Sequence, residues 1–206
     1  MNATGRLVPG ALSVLRQFAR RREEFEGCEL CAEPIQAGHP HLVDPRKREL
    51  RCACHACALL LSESPGSRWK RVPRRTEQLE RFRLTDAHWD ALGIPVGLAF
   101  FFRSSAAGRV AAFYPGPAGA TECLIPLDAW VLLEADNPVL AELQPDIEAL
   151  LVNRIGGASD GYLVSIDECY RLVGVIRLGW HGFSGGDEVW GEIARFFAGL
   201  KGAGHA

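Results

Sequence analysis

The chain has 206 residues, of which 48% are hydrophobic and 23% are charged, and its net charge is −2. This composition is typical of a globular protein, so disorder is not the default expectation. No apolar run approaches the roughly 18 residues of a membrane helix, and the arginines near the start follow the apolar part, which is the wrong order for a secretory signal. We therefore expect a cytoplasmic protein with no membrane partner.

The charge is distributed unevenly along the chain. Residues 1–83 carry sixteen Lys and Arg against ten Asp and Glu, whereas residues 84–206 carry seven against fifteen. The two parts therefore have net charges of +6 and −8. Such a split predicts two modules with different partners, or two halves that attract each other.

The first predicted element is a helix over residues 9–26, within an N-terminal helical segment of residues 1–27. Pro9 suits a first helical turn, and Leu12, Leu15 and Phe18 recur at helical spacing. Glycine at position 27 is a common stop signal.

Two Cys-x-x-Cys pairs follow, separated by 22 residues. Cys28 and Cys31 form the first pair, and Cys54 and Cys57 form the second. Two thiolates spaced in this way can bind one metal ion from a tight turn, and two such turns complete a tetrahedron. The cytosol keeps thiols reduced, so clustered cysteines there indicate metal rather than disulfides. We predict a metal site made of these four cysteines, in a finger of residues 28–62.

Zinc (Zn2+) is the predicted ion, and iron in a rubredoxin-like centre is the alternative that uses the same donors. Four cysteines leave no open coordination position, so the expected role of the ion is to stabilise a module too small for its own core. Other side chains close by could replace one of the four ligands: Cys52, His39, His41 and His55.

The residues between the two cysteine pairs predict a short hairpin. Residues 41–44 and 49–52 read as strands around a turn at 45–48, and residues 56–61 read as a short helix. The order is a cysteine pair, a hairpin, a second cysteine pair and a helix. This order resembles a treble-clef zinc finger, in which the second cysteine pair begins the helix. A helix N-terminus also favours thiolates.

The histidines of the predicted hairpin suggest a nuclease hypothesis. His39, His41 and Asp44 lie at roughly the place where a treble-clef nuclease of the HNH type carries its histidines. In such sites one histidine is a general base and others help to bind a divalent ion at the phosphate. The chain departs from that pattern, because it has no Asp-His pair and no asparagine between the two cysteine pairs.

Residues 63–84 are predicted to be a basic linker. Within it, residues 68–75 place Trp69 among five Lys and Arg. Such a stretch can bind nucleic-acid phosphates and stack bases on the tryptophan. Alternatively, this arm docks onto the acidic second half of the chain or onto an acidic partner.

The last module is predicted over residues 85–206. Residues 96–103 and 109–114 form a hairpin pattern, residues 145–152 read as helical, and residues 161–165 read as a strand. Two helices with apolar stripes follow. The predicted fold class is α+β, with an N-terminal treble-clef-like zinc finger and a small, largely antiparallel sheet packed with C-terminal helices.

Several segments spread over most of the chain form a specific set: 28–31, 41–44, 52–60, 94–101, 145–151, 166–174 and 184–190. Together they resemble an uncharacterised bacterial domain family whose genes tend to lie near operons of uptake nickel–iron (NiFe) hydrogenases. The resemblance implies an accessory or assembly protein for a metalloenzyme, with a protein partner related to the hydrogenase. It implies no catalytic residue.

We therefore predict a zinc-containing, non-enzymatic interaction or assembly factor, accessory to NiFe-hydrogenase maturation. The alternative is a nucleic-acid-binding protein that uses the basic finger and arm. A third hypothesis is an enzyme or carrier, either an HNH-like nuclease or an electron carrier with an iron centre.

Overall fold

The computed structural model describes residues 26–182 and 185–203. The helix predicted over residues 9–26 falls, apart from its last residue, outside this part of the chain. Within the described ranges the chain forms nine β-strands and five α-helices, and both sheets are antiparallel. The predicted α+β class is confirmed.

A small sheet forms around the predicted hairpin. Its strands are β1 (His41–Asp44), β2 (Glu49–Cys52) and β3 (Lys70–Arg71), in the order β2-β1-β3. The helix α1 (His55–Ser62) follows β2 almost at once. Strand alternation divides β1 between two cores, because Leu42 packs inside the finger whereas Val43 packs against the larger sheet.

The larger sheet has six strands. These are β4 (Thr76–Gln78), β5 (Leu98–Ser104), β6 (Arg109–Gly116), β7 (Gly119–Cys123), β8 (Glu148–Asn153) and β9 (Asp160–Ser165). Their order is β4-β9-β8-β5-β6-β7, and every neighbouring pair is antiparallel. The sheet is thus larger than the small one that the sequence predicted, and wholly antiparallel.

Strand β8 corrects one prediction. The helix expected over residues 145–152 is wrong, because residues 149–152 lie fully buried in the middle of the sheet. A short continuous apolar run suits a strand covered on both faces, and periodicity alone cannot distinguish it from a buried helix.

Helices cover both faces of this sheet. One layer contains α2 (Asp86–Leu92) and α3 (Leu127–Asp136), and the other contains α4 (Ile166–Gly179) and α5 (Gly186–Ala203). Phe101 of β5 packs on the first layer, whereas Phe100 and Phe102 pack on the second. The C-terminal helices pack against the sheet as predicted. Short 3-10 turns occupy Pro138–Glu142 and Ile155–Gly157.

The segment predicted as a basic linker, residues 63–84, contributes β3 to the small sheet and β4 to the large one. Lys70 Nζ lies 2.6 Å from Asp146 Oδ2, and an Arg75 nitrogen lies 3.1 Å from Glu148 Oε2. The basic arm therefore docks on the acidic second half, which is one of the two alternatives that its charge suggested. Among the described residues, no helix combines the length and the apolar character that crossing a bilayer requires.

Replacing Asp146 by alanine tests how much the contacts of this buried carboxylate, which include Lys70 of the arm, stabilise the fold. The Asp146 side chain is 3% exposed, and it accepts hydrogen bonds from the Ser105 amide at 2.8 Å and from Lys70. Asp146→Ala leaves the Ser105 amide without its acceptor, so we expect the free energy of unfolding to fall by about 1–3 kcal/mol. Chemical denaturation measures this loss.

The control for that variant is Asp90→Ala, which removes an exposed carboxylate from α2. We expect it to change the free energy of unfolding by less than about 0.5 kcal/mol. Equal effects of the two substitutions would show that the Asp146 contacts contribute nothing specific.

Candidate metal centre

Four cysteine side chains converge from two turns of the finger. One ligand atom from each of Cys28, Cys31, Cys54 and Cys57 lies within 4.8 Å of the other three. The sulfurs of Cys31 and Cys54 are 3.7 Å apart. A tetrahedral ion with metal–sulfur bonds of about 2.3 Å has sulfur–sulfur edges of about 3.8 Å. The structure thus brings together the four predicted residues in a geometry that can hold a metal ion.

Backbone hydrogen bonds shape the first cysteine turn. The amide of Ala32 donates to the carbonyl of Cys28 at 2.8 Å, and the amide of Cys28 donates to the carbonyl of Glu33 at 2.8 Å. Ala32 closes the turn in the left-handed conformation, with a φ of 63°. These bonds fold the chain back on itself, so that both sulfurs of the first pair can face one ion.

The second cysteine turn is the start of α1. Cys54 is the N-cap residue, and its sulfur accepts a hydrogen bond from the Cys57 amide at 3.4 Å. A helix N-terminus presents unpaired amides and the positive end of the helix dipole, and both favour thiolates. This is the position that the sequence predicted for the second pair.

Glu29 holds the first turn against β2, a role that the sequence alone did not predict. One carboxylate oxygen accepts a hydrogen bond from the Cys52 amide at 2.6 Å, and the other accepts one from Arg51 at 3.0 Å. The Glu29 amide in turn donates to the Cys52 carbonyl at 2.9 Å. Because Cys52 lies two residues before Cys54, this contact sets the distance between the two cysteine pairs. Its only signal in the sequence is a glutamate inside the first pair.

The thiols of the cluster ionise unequally. Burial opposes ionisation of Cys28, but the amides of Cys54, Leu30 and Cys31 outweigh it and lower its pKa to about 6. The neighbouring sulfurs of Cys31 and Cys54 raise the pKa of Cys57 to about 12. Four thiolates in one place repel each other, and a divalent cation would offset that repulsion and displace the remaining protons. The donor set therefore fits a soft or borderline divalent ion such as zinc.

The apolar core around the cluster is small. Its buried members are few, and the cysteines themselves are among the side chains that line it: Cys28, Ile35, Leu42, Ala53, Ala58 and Trp69, with Cys52, Cys54, Cys57 and Leu61 partly buried beside them. A core of this size stabilises a fold weakly, which is the situation in which small modules use a structural metal.

The histidines of the hairpin lie beside the four-cysteine cluster and form a separate group with Cys52. His41 Nδ1 is 2.7 Å from Asp167 Oδ2, at the start of α4. This hydrogen bond raises the pKa of His41. Burial opposes ionisation of Asp167, but hydrogen bonds from His41 and Ser165 and the amide of Glu168 together outweigh it and lower the pKa of the carboxyl. Nothing local in the sequence signals this pair, because its members lie 126 positions apart.

Comparison with protein families finds a match over residues 27–204 to DUF5947, which is described as a family of unknown function. The matched range includes both cysteine pairs and all six strands of the large sheet. No curated protein and no solved structure matches the chain.

Proposed function

The chain belongs to the DUF5947 family of unknown function, and we propose that it is a zinc-containing, non-enzymatic interaction or assembly factor. The observation that carries this proposal is the convergence of four cysteine sulfurs beside a small apolar core. Four thiolates saturate a tetrahedral ion and leave no position for a substrate, so this ion stabilises structure. The order of cysteine pair, hairpin, cysteine pair and helix is typical of a treble-clef-like finger. It therefore favours zinc over iron in a rubredoxin-like centre.

The surface of the finger supports a protein partner. Three of its leucines are exposed, one in the first cysteine turn and two in α1: Leu30, Leu59 and Leu60. Leu60 is the most exposed of them, at 70%. Apolar side chains held outward on a metal-stabilised helix suit an interface with another protein. The resemblance to proteins encoded near hydrogenase operons supports a partner that takes part in NiFe-hydrogenase maturation.

The contacts of the basic arm favour a protein partner over nucleic acid. Trp69 is 8% exposed, and the Arg68 guanidinium covers its ring at 5.0 Å. A buried tryptophan offers no platform on which a base could stack. Lys70 and Arg75 are paired with carboxylates of the second half, which leaves fewer free cations for phosphates.

The experiment that tests this function is purification of the tagged full chain from its native host, with and without Leu60→Asp. We expect a hydrogenase-related protein to co-purify with the unaltered chain. Burying one leucine contributes about 1.5–3 kcal/mol, so its replacement by a charge is expected to reduce recovery of the partner at least about tenfold. Quantitative mass spectrometry measures the recovery, and the zinc content is expected to stay unchanged.

Leu178→Asp is the matched control, because Leu178 is an exposed leucine on α4. We expect this variant to recover the partner as well as the unaltered chain does. Undiminished recovery with Leu60→Asp, or co-purification of nucleic acid in place of a protein, would contradict the proposed function.

A further inference from the structure

A second group of metal-binding side chains lies beside the four-cysteine cluster. One ligand atom from each of His39, His41 and Cys52 lies within 4.8 Å of the other two. The antiparallel register places His41 of β1 directly opposite Cys52 of β2. The rings of the two histidines have centroids 4.8 Å apart and stand nearly perpendicular, at 75°.

Both histidines form hydrogen bonds through Nδ1. This leaves Nε2 as the atom of each ring that can bind a metal ion. His39 Nδ1 is 3.0 Å from the carbonyl oxygen of Gln36, and His41 Nδ1 is 2.7 Å from the Asp167 carboxylate. Carbonyl and carboxylate oxygens accept hydrogen bonds, so in each case Nδ1 carries the proton. The lone pair of a neutral ring is then on Nε2. Metal-binding histidines are typically oriented by such partners.

The buried Nε2 atom of His39 is the strongest observation in favour of a metal ion at this place. Its side chain is 10% exposed, and its Nε2 atom is buried without a hydrogen-bond partner among the described residues. A buried polar atom left without a partner costs about 1–3 kcal/mol. A metal ion bound at Nε2 would offset this cost, and two further ligands lie close enough to share the ion.

We infer that His39, His41 and Cys52 form a second metal site, which binds a divalent transition-metal ion of the zinc type. Two imidazoles and a thiolate suit zinc and its neighbours, whereas magnesium and calcium prefer oxygen donors. This inference does not depend on the proposed function, which uses the four-cysteine site alone.

The second site leaves a coordination position open, unlike the first. Three protein ligands occupy three corners of a tetrahedron, and the fourth corner is free for an exchangeable ligand. Both histidines line a cavity of about 1070 Å³ between the finger and the large sheet. Arg71 and Arg74 line this cavity together with Asp167 and Glu168, so an exchangeable water fits the open position.

Zinc stoichiometry tests the inference. The full chain and its variants are dialysed against Zn2+, and the bound metal is counted by elemental analysis. We expect two ions per chain in the unaltered protein and one in the double variant His39→Ala/His41→Ala. The matched control is His181→Ala, an exposed histidine just after α4 and outside the finger, which should retain two.

One ion in the unaltered chain, or two in the double variant, would overturn the second site. If the double variant retains no zinc, the finger itself has been lost, and the count is repeated with the better-matched His39→Gln. One ion in that variant supports the inference, and none or two contradict it. A failure of the four-cysteine site is distinguishable, because Cys54→Ser would then bind as much zinc as the unaltered chain, whereas the double histidine variant would still bind one ion fewer.

Asp167 is expected to act as a positioning residue for the second ion. Its hydrogen bond fixes the ring of His41, and loss of such a partner typically weakens metal affinity by about 10–100-fold. We expect Asp167→Asn to weaken zinc binding at the second site by that factor and to leave the first site unchanged. Competition with a chelator of known affinity measures the zinc dissociation constants of both sites. Equal weakening at both sites would indicate a general loss of structure.

Discussion

Cys54→Ser is expected to abolish zinc binding at the four-cysteine site and to unfold the finger. Structural zinc contributes about 10–16 kcal/mol of binding free energy in zinc-finger peptides, which exceeds what the small core of the finger can replace. Serine caps helices well, so this substitution removes the thiolate and preserves the cap of α1. Limited proteolysis of residues 28–62, with and without a chelator, measures the effect.

Cys123→Ser is the control for the loss of one thiol. Cys123 ends β7, and its sulfur lies 3.7 Å from the carbonyl of Gly93, far from the finger in the sequence. We expect this variant to retain zinc and to resist proteolysis of residues 28–62. A Cys54→Ser protein that keeps the same resistance as the unaltered chain would show that the ion does not hold the finger together.

Phe101→Ala is expected to destabilise the large sheet and to leave the finger loaded with zinc. Phe101 is fully buried, and its ring lies 5.6 Å from that of Trp130 and 6.5 Å from that of Trp89. Truncating a buried phenylalanine typically costs about 3–5 kcal/mol. Chemical denaturation followed by circular dichroism measures the loss, and elemental analysis measures the retained metal.

Leu124→Ala is the control, because Leu124 is 78% exposed and its truncation should change the free energy of unfolding by less than about 0.5 kcal/mol. Together with Cys54→Ser, the Phe101 variant tests our proposal that the finger (28–62) and the segment 85–206 are separate modules. If Phe101→Ala loses zinc under conditions in which the unaltered chain retains it, the finger and the segment 85–206 fold as one unit.

The finger could be predicted because its signals are local. The Cys-x-x-Cys spacing, the turn at 45–48 and the start of the helix after Cys54 each depend on a few consecutive residues. Local geometry of this kind follows from residue type and spacing alone.

The contacts that complete the site could not be predicted in the same way. Glu29 reaches Cys52 across 23 positions, and Asp167 reaches His41 across 126. Strand β8 was misassigned because its buried apolar run has no polar alternation to mark a strand. In each case the contact or the secondary structure depends on residues that are distant in the chain. The pattern of neighbouring residues in a single sequence does not show which of them meet.

The most direct test of the proposed structural zinc is X-ray absorption at the zinc edge on the His39→Ala/His41→Ala variant, in which only the four-cysteine site should be filled. We predict four sulfur neighbours at about 2.3 Å around one ion per chain. Nitrogen or oxygen in the first coordination shell, or a chain that keeps its fold without any zinc, would contradict the assignment of Cys28, Cys31, Cys54 and Cys57 as its ligands.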